Sequence, residues 1–337
     1  SPWTISAAGY WAARAHMRTS NFQQVNKWLT TAARYPRTFY GLLALRAMGK
    51  SYSFNWDTPV LTPALQRQLM AEPGALRAMA LTQSGQTHLA EEELKNIHPE
   101  GNDQLKKALI AYASQAQLPA YQMRFASVFK QDNGDFYDAA LYPVAPWQKQ
   151  SAARQGKVDK AVLNAFIRQE SRFRAGAENP SGATGLMQIM PSTANYVTGS
   201  KTFEGAGQEK LKDPDLNLQI GETYIYNLLK QDVVGNDLFS LAIAYNAGPG
   251  NLRRWKGEQT KKAIVAMNDP LFFIETIPMS ETRSFVERVM TNIWIYRMRF
   301  GQPTPSLDAV AEGHWPNYIA MDGVGHSKVA STRHIKN

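Results

Sequence analysis

The chain has 337 residues and no cysteine, which excludes disulfides, thiolate metal sites and cysteine nucleophiles. Hydrophobic residues make up 44% and charged residues 19%, ordinary globular usage that excludes wholesale disorder; at roughly 150 residues per domain the length allows two domains. The formal charge of +9 is spread along the chain with no basic tail, so an anionic partner is expected: nucleic acid, a membrane surface or an acidic polymer.

The first stretch, to about Tyr137, reads as helix after helix. Phe22, Val25, Leu29 and Ala32 recur at helical spacing behind Ser20 and Asn21. Tyr35-Pro36 interrupts this run, and a helix from Phe39 to Met48 closes on Gly49. Short helices are expected over 64–70, 76–81, 89–97, 105–113 and 121–129, several of them separated by Pro and Gly. Short helices on short connections predict stacked hairpins, an α-solenoid, over residues 1–140. Residues 141–157 lack periodicity and are expected to connect it to a second domain, 158–300.

That domain opens on an amphipathic helix from Val158 to Phe173. Residues 176–190 are rich in Gly, Ser and Ala, and the alternation over Leu186 to Ile189 predicts a small hairpin with Gln188 facing away from Met187 and Ile189. Further helices are expected from Pro191, from Asp213-Pro214 with Leu216, Ile220, Tyr224 and Leu228 on one face, and from Asp237 to Asn246, stopped by Gly248-Pro249-Gly250. A long helix capped by Ser280 buries Phe285, Val289, Ile293 and Tyr296. Residues 301–337, with their Pro and Gly, read as an irregular tail.

None of the six histidines falls between Lys130 and Pro303, and no pair has helical metal-ligand spacing, so neither a metal site nor a Ser-His-Asp triad is expected in the second domain. No phosphate-cradling Gly loop and no nucleotide fingerprint occurs, so no cofactor is expected. Glu170 is the conspicuous residue. It lies four after Phe166, three after Ile167 and seven after Leu163, on the apolar face near the helix C-terminus. Desolvation and the negative end of the helix dipole both raise a carboxyl's pKa there, which suits a general acid. Pairing with Arg172 or Arg174 is the plainer alternative.

Four blocks then occur in order: RQESRF (Arg168 to Phe173), GATGLMQIMPSTA (Gly182 to Ala194), AYNAGPGN (Ala244 to Asn251) and IPMSETRSFVERV (Ile277 to Val289). Together they resemble the soluble lytic transglycosylase domain, a lysozyme-like fold of glycoside hydrolase family 23. YPRTFYGLLALRAMG (Tyr35 to Gly49) is similar to the superhelical region of the large soluble members. The fold implied is mainly α: an α-solenoid followed by a lysozyme-like α+β domain with a very small β-hairpin.

The resemblance implies a lyase that cleaves the β-1,4 bond between N-acetylmuramic acid and N-acetylglucosamine in peptidoglycan without water, leaving 1,6-anhydro-muramyl ends. Glu170 matches the single acid/base. Gln188 and Met190 match positions that line sugar subsites, although Met190 also suits a core. Tyr245 is expected beside the acid, or else as a core tyrosine bonded to backbone, and Asn246 at the substrate or simply closing its helix. Glu281 is expected to bind substrate or set the field at Glu170, or only to complement its helix dipole. Asn179 stands where many relatives carry Ser to orient an N-acetyl group, and an amide can also donate and accept. Glu178, Asp213, Asp215 and Glu222 are the other carboxylates in reach, none at a catalytic position of the family.

Peptidoglycan strands are thus the expected partner, with cell-wall synthesis or remodelling proteins as further candidates. A periplasmic location follows from the substrate, with the export signal outside this sequence. No apolar run approaches the roughly 18 residues of a membrane span. Two other readings stay open: a water-using muramidase of the goose-lysozyme type, and a non-enzymatic binding or scaffold protein. Nucleic-acid binding lacks a clustered basic stripe or a known module.

Overall fold

The computed structural model of the protein describes residues 1–130, 135–144, 146, 156–262 and 268–322. The first part is built of helices, with a long extended connection over 48–62: α1 (Pro2–Arg18), α2 (Phe22–Ala33), α3 (Phe39–Ala47), α4 (Pro63–Ala71), α5 (Pro73–Gln83), α6 (Thr87–Lys95), α7 (Asp103–Gln115), α8 (Pro119–Val128) and α9 (Asp138–Leu141). Neighbours pack as hairpins, α1 on α2, α5 on α6 and α7 on α8, with α4 laid against α7. The sequence sets the ends. Thr38 caps α3 by accepting from the Gly41 amide at 3.1 Å. Gly41 itself is required by the preceding turn, since a Cβ there would lie 1.9 Å from the Tyr35 carbonyl. Proline opens α1, α4, α5 and α8, where a missing N–H removes no helical bond. Pro73-Gly74, expected as a turn, is in fact the first turn of α5.

The second part holds α10 (Lys160–Glu170), α11 (Pro191–Thr198), a 3-10 helix (Gly205–Lys212), α12 (Pro214–Leu229), α13 (Leu238–Ala247), α14 (Pro249–Lys262), α15 (Pro270–Glu275) and α16 (Ser280–Arg299). Asp213 and Asp237 cap α12 and α13 through the Leu216 and Ser240 amides, at 2.7 and 2.6 Å. Ser280 is the first residue of α16 but makes no capping bond. α16 is the spine. α10 packs along one side and α13 along another, and from Val289 to Arg297 every residue of α16 is buried. The expected hairpin is reduced to isolated bridges between Glu178 and Thr184 and between Thr184 and Ile189. The expected connector is largely outside the described residues, since 145 and 147–155 are not among them.

The two parts share one core. Phe39 of α3 stacks on Trp294 of α16 at 5.1 Å and meets Phe239 of α13 at 6.1 Å. Arg14 of α1 pairs with Asp269 at the start of α15 at 2.5 Å. The tail departs from expectation. Residues 305–311 form α17 (Pro305–Ala311), which packs on α3, with Ser306 accepting from the Trp294 indole at 3.0 Å and Arg46 paired with Asp308. The chain then clasps the start of α10: the Met321 and Asp322 amides donate to the Asp159 carboxylate, and the Tyr318 hydroxyl accepts from the Asp159 amide. Proline and glycine signalled irregular backbone; the partners that order it lie far away in sequence. Residues 323–337 of the expected tail fall outside the described residues.

Candidate active site

α10 is buried on nearly every side from Ala161 to Ile167. It was expected to run to Phe173, yet it stops at Glu170. Ser171 donates through both its amide and its hydroxyl to the Ile167 carbonyl. Arg172 and Phe173 then adopt left-handed φ values of 53° and 65°. Such backbone costs on the order of 1–2 kcal/mol per non-glycine residue, and burial of the Phe173 ring offsets it. The outcome is a glutamate on the last turn of a core helix, at the mouth of a cavity of about 510 Å³.

Opposite lies the 176–190 loop, a tight structure held by side chains rather than by a ladder. The Asn179 carboxamide oxygen accepts from the Ser181 and Ala183 amides at 3.0 and 2.9 Å. Buried Asn217 of α12 accepts from the Met187 amide at 2.8 Å and donates to the Thr184 and Leu211 carbonyls at 2.9 and 2.8 Å. Gly185 lies against it, with φ of 82° and only 2.2 Å between an added Cβ and the Asn217 amide nitrogen. Gln208 of the 3-10 helix donates to Glu178, to the Gly182 carbonyl and to the Thr184 hydroxyl.

Glu170, Asn179, Gln188, Asn246 and Glu281 all line the one cavity. Gln188 is not on a strand: its φ is 48°, and its side-chain amide donates to the Ala177 and Gly185 carbonyls, leaving only its carbonyl oxygen uncommitted by these bonds. Asn246 is oriented by buried Thr282, whose hydroxyl donates to it at 2.8 Å. Tyr245 stands behind the cavity. Its hydroxyl donates to the Met187 carbonyl at 2.7 Å, and its ring lies 4.7 Å from Phe166 and 5.4 Å from Tyr224. Burial, then Glu170, then Tyr224 push its hydroxyl well above the ordinary tyrosine range. Met190 does not line the cavity and is 37% exposed at the start of α11.

Electrostatically the site is built around one carboxyl. Burial, and then the charge of Glu281, push Glu170 up to about 8. Glu178 also lines the cavity but is engaged by Lys212 at 3.3 Å and by Gln208. Glu222 accepts from the Lys157 and Val158 amides ahead of α10. Among the described residues no group of three or more His, Asp or Glu side chains could hold a metal ion. Arg174 and Arg288 were not anticipated as cavity residues. A signal for the second existed: Glu281, Ser284 and Arg288 follow an i, i+3, i+7 pattern, one face of α16.

Residues 148–268 match the family model of the transglycosylase SLT domain. The chain is 29% identical, over 87% of its own length, to the soluble lytic murein transglycosylase of Salmonella typhimurium, of which it covers 44%. By fold and by sequence, this chain is similar to the soluble lytic transglycosylases. Its structure superposes on the 70 kDa soluble lytic transglycosylase Slt70 of Escherichia coli with a TM-score of 0.74 and 25% identity, covering 93% of this chain and 48% of that one. An inactive Glu-to-Gln mutant of lytic transglycosylase Slt from Pseudomonas aeruginosa gives a TM-score of 0.70 and 26% identity, covering 93% and 49%. The chain thus spans about half the length of these relatives.

Proposed function

We propose that this protein is a lytic transglycosylase, a lyase that cleaves the β-1,4 bond between N-acetylmuramic acid and N-acetylglucosamine of peptidoglycan and leaves a 1,6-anhydro-muramyl end. The observation that carries this reading is Glu170: a carboxyl at the end of a core helix, opening on a cavity and raised to about 8. At neutral pH it is largely protonated, as a general acid must be. It gives its proton to the leaving glycosidic oxygen as the bond from C1 breaks. The resulting carboxylate takes the proton of the C6 hydroxyl as that oxygen bonds to C1. The proton passes from O6 to the leaving oxygen and no water is consumed. A single carboxyl suffices because the sugar's own N-acetyl carbonyl stabilises the intermediate, an exception to the two-carboxylate scheme.

Asn179, Gln188 and Asn246 are the polar groups set to hold the sugar, and burial, helped by the charge of Glu281, keeps Glu170 protonated. The relatives' names, and the inactive Glu-to-Gln variant of one of them, support the reading. The substrate places the protein in the periplasm, on glycan strands. Mass spectrometry of fragments released from purified sacculi tests it. Anhydro ends are one water lighter than hydrolysed ends. Products carrying only reducing ends would instead make the protein a muramidase, in which Glu281, on the same cavity, becomes the candidate partner for a water.

A further inference from the structure

Charge is shared between the two halves of the chain but is uneven within the first. Residues 1–56 hold seven Lys and Arg and no Asp or Glu, which makes +7 of the total +9. They cover α1, α2, α3 and the start of the connection to α4, and none of them lines the cavity at Glu170. Three of the seven are engaged by acids from elsewhere in the chain: Arg14 by Asp269 at 2.5 Å, Arg37 by Asp138 at 2.6 Å, and Arg46 by Asp308. The other four, Arg18, Lys27, Arg34 and Lys50, are exposed and make no ion pair among the described residues. In the sequence these four are scattered, so no basic stripe is legible; the fold collects them. Lys27 and Arg34 stand two turns apart on α2, on one exposed face with Gln23, Asn26 and Thr30. The Thr30 hydroxyl donates to the Met48 sulfur at 3.9 Å, which brings the end of α3, with Lys50 two residues on, next to that face. Arg18 closes α1 at the tip of the α1–α2 hairpin. At the same tip two large apolar side chains stand in solvent, Met17 53% and Phe22 65% exposed.

A single exposed apolar residue is ordinary, but an apolar pair on a hairpin tip beside unpaired cations has the composition of an interfacial anchor. Each Lys or Arg close to an anionic bilayer favours the bound state roughly fivefold. Met17 and Phe22 gain by burial at the acyl boundary, whereas a nucleic-acid backbone offers them nothing to bury against. We propose that this face docks the protein on an anionic phospholipid bilayer, with α2 along the surface, its cations on the headgroups and the Met17–Phe22 tip inserted below them. No helix among the described residues is long and apolar enough to cross a membrane, so the contact is peripheral and reversible. Docking does not involve Glu170 and holds whether or not the chain cleaves glycan.

The test is co-sedimentation of the full chain with vesicles of phosphatidylglycerol and phosphatidylethanolamine in equal parts, against vesicles of phosphatidylcholine. The wild type is expected to bind the anionic vesicles at low salt, to lose most of that binding as salt is raised, and to ignore the neutral vesicles. Lys27→Glu with Arg34→Glu should weaken binding by at least about tenfold, and the milder Lys27→Gln with Arg34→Gln should fall between that variant and the wild type. Phe22→Ser with Met17→Ser should weaken it by about fivefold or more while the salt dependence is kept. All four side chains are exposed, so each variant should keep the wild-type Tm and cleave soluble glycan strands at the wild-type rate. No binding by the wild type, equal binding to both kinds of vesicle, or binding that charge reversal leaves intact would overturn the proposal. Charge reversal that weakens binding to purified sacculi or to duplex DNA, with vesicles ignored, also overturns it, because the face then serves a polymer. A fall in soluble-strand cleavage equal to the fall in vesicle binding would put the face in the catalytic machinery and sink the idea as well. Vesicle binding is read without turnover, so docking and the proposed function fail separately.

Discussion

Glu170 combines two properties that ordinarily exclude each other, a buried position and a titratable group, and its behaviour with pH follows from that. Its folded pKa of about 8 lies above the ordinary value of 4.5. Activity that needs the protonated acid is therefore retained through neutral pH and falls as pH rises through about 8, as a pH profile of kcat/KM on soluble glycan strands will read. Replacing Glu281 by Gln removes the neighbouring charge that helps to raise Glu170. The alkaline limb should move down by roughly one pH unit, with burial still holding it above the ordinary value. Glu170→Gln is expected to abolish turnover while strand binding persists, which fragment release and co-sedimentation with purified sacculi will read. The same linkage has a stability sign. A carboxyl with a raised folded pKa contributes fully below about 4.5 and loses that contribution as pH rises towards 8. Glu170→Gln should thus match the wild type in thermal stability at pH 4 and exceed it at pH 8, by up to about 4 kcal/mol.

The element that faces Glu170 is a loop, and its precision comes from its ties. Asn217 makes three hydrogen bonds that fix the Thr184–Met187 stretch and the Leu211 carbonyl to α12, with no exposure to solvent. Asn217→Ala leaves the Met187 amide and two carbonyls buried without partners. A loss of about 2–4 kcal/mol in urea unfolding is expected, with kcat falling at least about tenfold because Gln188 and Asn179 move with the loop. Gly185 explains why the segment reads as turn formers: both the left-handed φ and the contact with Asn217 forbid a side chain. The sequence pattern misled at this scale. Alternation over 186–189 resembles a strand, but Gln188 is held in a turn by its own side chain.

Over the whole molecule, distant segments converge on α16 and on the start of α10. Arg297 and Asp159 form a pair 3.1 Å apart, with side chains 2% and 3% exposed, and the 318–322 stretch completes the carboxylate's bonds. Asp159→Ala leaves a guanidinium buried without its counter-charge, and a loss of about 3–5 kcal/mol is expected by chemical denaturation. Since α17 and α3 pack together and Phe39 stacks on Trp294, the helical part and the catalytic part should unfold in one transition, which calorimetry can check.

The sequence by itself determined the helical character, most helix starts and the catalytic candidate. Each is a local matter: caps such as Asp213 and Asp237, prolines at first turns, and Glu170 on the apolar stripe of α10. Length and charge allowed two domains and an anionic partner, and the four ordered blocks narrowed that partner to an acidic polymer. Tertiary structure decided what depends on residues far apart in the chain. It gathered Glu170, Asn179, Gln188, Asn246 and Glu281 into one cavity and left Met190 outside it. It also set Tyr245 behind the acid and brought Arg174 and Arg288 to the site. It turned an apparently irregular tail into a helix and a clasp, because the partners that order it, Arg46, Trp294 and Asp159, belong to other elements. A pattern read along one segment reports which face is apolar, whereas a cavity and a raised pKa are properties of what the fold places around it.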